Sequence, residues 1–309
     1  MAVDEQFAVG VDIGGTNLRA AIVRGCEILN VARHRGWDPQ MQPEAAMDMV
    51  SRAILDLMAD SGLRPAQVRG IGVGAPGRVD YADRAVVGAV NVPWARGKVR
   101  LRVGQMLEQR LGIPVRMEND VAAGAIGEYL FGEFRGSSSF LYVSLGTGVG
   151  SCCITGGRIM RGAHNDAYEL GHTIIDMHGP SCSCGMFGCI ELMAAGPAIA
   201  EMAGMSAEAA VHSARRGDPS ARDAIDKAVQ RLAIGLANAI SLLDPEVIVI
   251  GGGLSRVGDL IVEPLVEKVK ILSCSPYVES IHIRAARFGD DSGIIGAASQ
   301  FTEAYEALR

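Results

Sequence analysis

A strand–turn–strand unit that occurs once in each half of the sequence most constrains how this chain can fold. An apolar strand predicted over 7–11 runs into the glycine-rich turn 12–17, and the segment after the turn is predicted to form its hairpin partner. In the second half, a strand predicted over 139–144 leads into the turn 145–150, again followed by a predicted partner strand. The repetition predicts two similar lobes.

Strands and helices alternate along the rest of the chain, which is typical of the α/β class. We predict helices over 43–61, 99–111, 219–243 and 293–307, and strands over 68–74, 115–117 and 247–250. The chain has 309 residues, more than a usual single domain, so its length also favours two lobes.

Composition predicts a soluble, cytoplasmic protein. Hydrophobic residues make up 49% of the chain and charged residues 21%, which suits a sizeable core. The net charge of −6 and the lack of a basic stripe argue against a nucleic-acid partner. Neither a signal peptide nor an apolar run of about 20 residues is found, so we expect no membrane partner.

The glycine–threonine turns predict a site for a nucleotide. Glycine lets backbone N–H groups approach a phosphate closely, threonine adds a hydroxyl donor, and Asp12 is placed to hold Mg²⁺ through water. A triple-glycine loop after strand 247–250 offers a flat surface for an adenine ring. The predicted ATP and phosphate residues are Asp12, Gly14, Gly15, Thr16, Asn17, Gly146, Thr147, Gly148, Gly251, Gly252 and Gly253.

Each glycine loop taken alone is most often only a turn between strands. The prediction therefore depends on the combination of these loops with the two strand–turn–strand units. The first strand is not followed by G-x-G-x-x-G, which argues against a dinucleotide-binding site. The phosphate-binding loop of the Walker type is also missing from the sequence. The pattern favours a nucleotide bound between two similar lobes.

Asp120 is the candidate general base. Phosphoryl transfer needs little covalent help from the protein, but the attacking hydroxyl must be positioned and relieved of its proton. Asp120 follows strand 115–117 at the carboxyl end, where α/β sheets bind ligands, and the amide of Asn119 can donate to and accept from sugar hydroxyls. The alternative is that both residues cap the helix that begins near Val121. The two roles are compatible.

The cysteines predict a closed metal site. Their number, seven, is odd, which argues against a secreted disulfide framework. The candidate ligands are His172, Cys182, Cys184 and Cys189. One imidazole and three thiolates suit tetrahedral Zn²⁺ in a structural site without a vacant position. Buried free cysteines are the alternative, and His178 is a competing ligand; Cys152 and Cys153 are predicted core residues of a strand.

Taken together, these motifs resemble those of the ROK family of repressors, open reading frames and sugar kinases. The motifs lie at 12–17, 77–78, 118–120, 145–150, 169–172 and 182–189, the last a Cys-x-Cys-Gly-x-x-Gly-Cys run. Their order and spacing match over nearly the whole chain. The resemblance implies an α/β, actin-like, ribonuclease-H-like ATPase fold, with sugar and ATP in a cleft between two lobes. We expect the lobes at 1–117 and 118–296, with 297–309 packing back on the first.

The resemblance also implies the roles of the site residues. The aspartate that matches Asp120 is the catalytic base of the family. The positions that contact the sugar match Gly77, Asn91, Asn119, Asp120, Glu169, His172 and Glu191. The histidine that matches His172 also ligates zinc with the three cysteines, which places it ahead of His178, and the metal fixes His172 and Glu169 against the sugar.

The predicted function is therefore an ATP-dependent hexose kinase with glucose as the expected sugar and glucose 6-phosphate as the product. ATP and Mg²⁺ are the expected cofactors, with a structural Zn²⁺, and family members suggest a homodimer or homotetramer. Two departures bear on the sugar. Tyr168 stands where family kinases commonly have a small, glycine-rich run, and 91–94 lacks the glycine of the family's Asn-x-Pro-Gly-Trp. Fructose, allose, mannose and N-acetylmannosamine are the alternatives.

A non-catalytic, sugar-responsive regulator of the same family is the other alternative. Repressors of the family carry a winged helix-turn-helix ahead of the kinase-like part, and a phosphate turn that begins at Asp12 leaves no room for one. The presence of Asp12, both glycine–threonine turns and Asp120 argues against a kinase that has lost its activity.

Overall fold

The computed structural model describes residues 6–15, 17–88, 92–96 and 100–308. Two of the predicted site residues, Thr16 and Asn91, lie outside the described residues, as does the start of the helix predicted over 99–111.

The described residues contain the following strands and helices. The strands are β1 (Phe7–Ile13), β2 (Asn17–Arg24), β3 (Glu27–Arg35), β4 (Val68–Ala75), β5 (Arg78–Asp80), β6 (Ala85–Val87), β7 (Val115–Asn119), β8 (Ser139–Leu145), β9 (Val149–Thr155), β10 (Arg158–Ile159), β11 (Val247–Gly251) and β12 (His282–Ala285). The α-helices are α1 (Pro43–Asp60), α2 (Val103–Leu111), α3 (Asp120–Phe131), α4 (Glu191–Ala194), α5 (Gly196–Ala203), α6 (Ala207–Arg215), α7 (Pro219–Leu243), α8 (Glu263–Leu272), α9 (Ser292–Ser299) and α10 (Glu303–Glu306).

The chain divides by its contacts into two compact units. Unit 1 holds the described residues up to Gly136, Gly157–Asp166 and the described residues from Asp291 on; unit 2 holds Ser137–Gly156 and Ala167–Asp290. This division differs from the predicted lobes 1–117 and 118–296. Strand β7 pairs in parallel with β4, and α3 packs on α9, so residues 118–136 belong to unit 1. The chain also returns to unit 1 earlier than residue 297, because the whole of α9 packs there.

Unit 1 is built on a sheet with the strand order β3-β2-β1-β4-β7. β1 and β2 are antiparallel, as are β2 and β3, whereas β1, β4 and β7 run parallel. The hairpin predicted around the first glycine turn is therefore confirmed. The apolar side chains of Val9, Val11 and Ile13 enter a core shared with α1 and α2.

The opposite face of this sheet carries α9 in direct backbone contact. A side chain at Gly10 or Gly72 would overlap the backbone carbonyl group of Ile294 or Ala297, so glycine is required at both positions. Helix α3 packs on α9 in the same close manner, since a side chain at Gly296 would overlap the carbonyl oxygen of Ala123. The backbone of α9 thus lies directly against both the sheet and α3 at these glycines.

Unit 2 has the strand order β9-β8-β11-β12, which corresponds to β2-β1-β4-β7 of unit 1. β8 and β9 form an antiparallel hairpin, while β8, β11 and β12 run parallel. The second strand–turn–strand prediction is therefore also confirmed. Helices α5 to α8 contribute to the apolar core of this unit. Helix α7 has the bounds predicted for it, because Asp218 caps its start and Pro245 follows its end.

Two helix predictions were wrong in their bounds. The closing helix predicted over 293–307 is two helices, α9 and α10, and the side chain of Thr302 caps the second by accepting a hydrogen bond from the N–H of Tyr305 at 3.3 Å. Helix α2 begins at Val103, and the described residues 100–102 of the helix predicted over 99–111 are not helical, because Leu101 forms a β-bridge with Val86. Within the described part of the chain, no helix has the length and apolar character that crossing a membrane requires.

Candidate active site

Asn119 and Asp120 form the junction between β7 and α3. The Asn119 side-chain oxygen accepts from the N–H groups of Val121 and Ala122, both at 3.0 Å, so the predicted helix cap is confirmed. Its Nδ2 donates to the carbonyl of Gly77 at 3.1 Å and to Asp120 Oδ1 at 3.1 Å. Both the oxygen and the nitrogen of the Asn119 side-chain amide are therefore hydrogen-bonded. The bond to the Gly77 carbonyl places Gly77 at this junction.

Asp120 occupies the first position of α3. Its Oδ1 accepts from the N–H of Val121 at 2.9 Å. The N-terminal end of a helix favours negative charge, which suits a carboxylate at this position. Gly74 of β4 is the register partner of Asp12, and a Cβ at Gly74 would lie 3.6 Å from the Asp120 Cα. Asp12 and Asp120 thus lie on either side of β4, at the carboxyl ends of the parallel strands of unit 1.

Glu118, the residue before Asn119, is the centre of a buried polar cluster that the sequence did not reveal. Its side chain is fully buried, and Arg161 donates to both carboxylate oxygens at 2.9 and 2.7 Å. Tyr81 Oη donates at 2.6 Å, Tyr305 Oη at 3.2 Å and the Asn119 N–H at 3.0 Å. A buried carboxylate is tolerated when it is paired and hydrogen-bonded in this way.

The cluster also fixes the protonation state of one phenol. Burial and then the charge of Glu118 raise the pKa of Tyr81 well above its usual value, so Tyr81 stays a hydrogen-bond donor. The Arg161 guanidinium lies 3.9 Å from the centre of the Tyr81 ring. Sequence reasoning missed the cluster because Tyr81, Arg161 and Tyr305 belong to none of the recognised motifs.

The first glycine turn is fixed by two hydrogen bonds of Gly14. The N–H of Gly14 donates to the carbonyl of Asn17 at 2.8 Å. The carbonyl of Gly14 accepts from the indole Nε1 of Trp37 at 2.9 Å. Gly15 lies inside the turn, so the described members of the predicted phosphate set in unit 1 are adjacent.

The second glycine turn lies in unit 2 and is held by the starts of two helices. The N–H of Gly146 donates to the carbonyl of Gly148 at 3.0 Å, and Gly196, the first residue of α5, donates to the carbonyl of Gly146 at 2.8 Å. Glu191, the first residue of α4, accepts from the N–H of Val149 at 3.1 Å. The exposed Thr147 lies at the tip of this turn.

The triple-glycine loop packs against the end of β8. Gly252 has a φ of +78°, and a side chain there would approach the Leu145 carbonyl carbon within 2.9 Å. A side chain at Gly251 would overlap the Tyr142 ring. Glycine is thus required for packing at these two positions, and Gly253 follows in a short 3₁₀ helix. Unit 2 therefore brings the second glycine turn and the triple-glycine loop together.

The predicted metal ligands converge in unit 2. The ligand atoms of His172, Cys182, Cys184 and Cys189 all lie within 4.8 Å of one another. Two of the contacts are His172 Nδ1 to Cys182 Sγ at 3.7 Å and Cys184 Sγ to Cys189 Sγ at 3.6 Å. A tetrahedral Zn²⁺ with bonds near 2.3 Å separates its ligand atoms by roughly 3.8 Å. The donor set and its spacing therefore fit zinc, and His178 lies outside the group.

Tyr168 and Glu169 lead into this metal group. Tyr168 has a φ of +67°, in the region that favours glycine. Burial and then Cys153 raise the pKa of Tyr168 to about 12. The Tyr168 side chain packs against the core of unit 2, which includes Cys153 of β9. Cys152 and Cys153 are both buried, as predicted. The carbonyl of Glu169 accepts from the N–H of His172 at 3.0 Å, so the two predicted sugar residues are adjacent.

The fold of the chain is that of solved sugar kinases. The crystal structure of a ROK family glucokinase from Streptomyces griseus in complex with glucose and AMPPNP matches it with a TM-score of 0.83 and 31% identity, covering 95% of this chain and 98% of that one. The chain therefore has the actin-like, ribonuclease-H-like ATPase fold, and the fold implied by the sequence motifs is confirmed.

Sequence comparison defines the family. The ROK family matches residues 8–304, and the chain belongs to the ROK family. The glucokinase of Streptomyces coelicolor is 32% identical over 317 residues, which cover 94% of this chain and 96% of that protein. The glucokinase of Thermotoga maritima is 31% identical over 316 residues, which cover 96% and 97%. The xylose repressor of Caldicellulosiruptor bescii is 28% identical over 268 residues, which cover 79% of this chain and 66% of that protein.

Proposed function

We propose that this chain is an ATP-dependent hexose kinase that transfers the γ-phosphoryl group of MgATP to glucose and forms glucose 6-phosphate. The observation that carries the proposal is the position of Asp120, at the start of α3 and beside an Asn119 amide whose two ends are fixed. Glucokinases that align over nearly the whole chain support the reaction, and the relative crystallised with glucose and AMPPNP supports the substrates.

Asp120 accepts the proton of the sugar hydroxyl as the hydroxyl oxygen attacks the γ-phosphorus of ATP. The oxygen–phosphorus bond to the sugar forms, the bond to the ADP oxygen breaks, and the proton passes to the Asp120 carboxylate. The sugar is held by Asn119, Glu169, His172 and Glu191. The glycine turns supply N–H donors to the phosphates, and Asp12 would hold Mg²⁺ through water. Mg²⁺ neutralises charge on the phosphates when MgATP is bound.

The kinase proposal is tested by an ADP-release assay with the purified protein. Glucose, mannose, fructose, allose and N-acetylmannosamine are compared at equal ATP. We expect the highest kcat/KM for glucose. A higher value for another of these hexoses would assign the sugar differently, and ADP formation with none of them would contradict the kinase function.

A sugar-responsive regulator is the second candidate, because xylose repressors also align with much of the chain. A regulator of this kind binds sugar without turning over ATP. Calorimetry with glucose alone, beside the ADP-release assay, separates the two functions: sugar binding with no ADP formation would favour the regulator.

The metal group is proposed to hold a structural Zn²⁺ that fixes His172 and the neighbouring Glu169 for sugar binding. We expect about one zinc per chain by elemental analysis, and less in a Cys182→Ser variant. His178→Ala is the matched control, because His178 lies outside the group and should leave the zinc content unchanged. Chelation is expected to weaken sugar affinity more than ATP affinity. A zinc-free protein with full activity would contradict the proposal.

A further inference from the structure

The first glycine turn receives a hydrogen bond from a residue that lies outside every motif discussed so far. Trp37 lies between β3 and α1 and is 7% exposed, and its indole N–H donates to the carbonyl of Gly14 at 2.9 Å. The Gly14 carbonyl is a backbone group at the entrance of the turn proposed to bind phosphate. Trp37 therefore contacts the turn without being part of it.

This hydrogen bond determines which way one peptide group faces. The peptide between Gly14 and Gly15 is trans, so its C=O and N–H point in opposite directions. When the carbonyl is held toward Trp37, the N–H of Gly15 points away from the indole. A peptide between two glycines rotates easily because neither residue has a Cβ. Without a partner for the carbonyl, the same peptide could turn its oxygen toward an anion and repel it.

Packing holds Trp37 itself in place. Its ring meets that of Trp94 edge to face, with the ring centres 5.7 Å apart and the planes at 71°. Trp94 is 2% exposed and lies in the short 3₁₀ helix Pro93–Ala95, within the core of unit 1. The indole of Trp37 is therefore supported by the core on one side and bonded to the turn on the other.

We propose that Trp37 is a positioning residue that locks the Gly14–Gly15 peptide in the orientation that presents the Gly15 N–H to a nucleotide phosphate. The proposal rests on the proposed function, in which this turn binds ATP. Trp37 does not itself touch the nucleotide; it acts through the hydrogen bond to Gly14.

The two tryptophans provide a matched pair of variants. Trp37→Phe removes the indole N–H but keeps an aromatic ring against Trp94. Trp94→Phe removes the indole N–H of the second tryptophan. The Nε1 of Trp94 is buried and has no hydrogen-bond partner among the described residues. Thermal unfolding of both variants shows whether either one has lost its fold.

We expect Trp37→Phe to weaken the binding of Mg²⁺ with AMPPNP about 3- to 10-fold by calorimetry, which is the effect of losing one hydrogen bond. The KM for ATP should rise similarly, while the KM for the sugar should stay within about twofold, a difference that a general loss of stability would not produce. Trp94→Phe keeps an aromatic ring against Trp37 and leaves the Trp37 indole N–H in place, so its AMPPNP affinity should fall less than that of Trp37→Phe.

Fluorescence supplies a readout that does not depend on catalysis. The chain has two tryptophans, so each variant keeps a single one. Adding Mg²⁺ and AMPPNP should shift the emission of Trp37 in Trp94→Phe more than that of Trp94 in Trp37→Phe. Equal AMPPNP affinity in both variants would overturn the role of Trp37 while leaving the kinase proposal intact. A failure of the unchanged protein to bind AMPPNP would overturn the kinase proposal, and this inference with it.

Discussion

Replacement of Asp120 by asparagine is expected to lower kcat by roughly 10²- to 10⁴-fold while sugar affinity changes little. Asparagine keeps the shape of the side chain, and its oxygen can still accept from the N–H of Val121, the bond that Asp120 Oδ1 accepts at 2.9 Å. An amide cannot take the proton of the attacking hydroxyl. The loss should therefore fall on the chemical step.

The measurement is steady-state kinetics together with calorimetric binding of glucose. Asp56→Asn, at an exposed position of α1, is a matched control for the change of charge and should leave kcat unaltered. A kcat of Asp120→Asn close to that of the unchanged protein would remove Asp120 from the role of base. A loss of glucose binding in the same variant would instead show that the substitution disturbs the sugar site.

The second large effect is expected at the buried ion pair between Glu118 and Arg161. Arg161→Met removes the guanidinium that donates to both oxygens of the fully buried Glu118 carboxylate, and breaking a buried pair in this way costs about 3–5 kcal/mol of the free energy of unfolding. Glu118 also accepts from the Asn119 N–H at 3.0 Å, so we expect a weaker affinity for the sugar in the same variant.

Urea unfolding measures this effect, and two further variants interpret it. Arg24→Met removes an exposed pair with Glu27 and should cost no more than about 1 kcal/mol. The double variant Glu118→Gln with Arg161→Met should be more stable than Arg161→Met alone, because no charge is left buried without a partner. Equal losses for Arg161→Met and Arg24→Met would show that the buried pair contributes no more than a surface pair.

The sequence predicts those parts of the molecule in which the signal is local. Helix α7 is recognisable because Asp218 caps it, its apolar residues recur at helical spacing and Pro245 follows it. The first hairpin is recognisable from an apolar strand that ends in two glycines. The metal group is recognisable because three of its four ligands lie within 182–189.

Features that depend on residues distant in the chain were not predictable in the same way. Arg161 and Tyr305 reach Glu118 across 43 and 187 residues of sequence. The break between α9 and α10 comes from the cap at Thr302. The segment 300–302 between the two helices contains neither glycine nor proline, so the sequence gives no local signal for the break. The left-handed backbone of Tyr168 is set by tertiary packing, since tyrosine has no preference for it.

The close packing of α9 on the sheet of unit 1 has a consequence for folding of the protein during its synthesis on the ribosome. All the strands of that sheet, β1, β2, β3, β4 and β7, are made before residue 120, but the helix that covers the glycine-lined face begins at Ser292. Until α9 emerges, the face around Gly10 and Gly72 lacks its native cover, while the segments of unit 2 are already complete. Unit 1, although its strands are made first, is therefore expected to finish folding after unit 2.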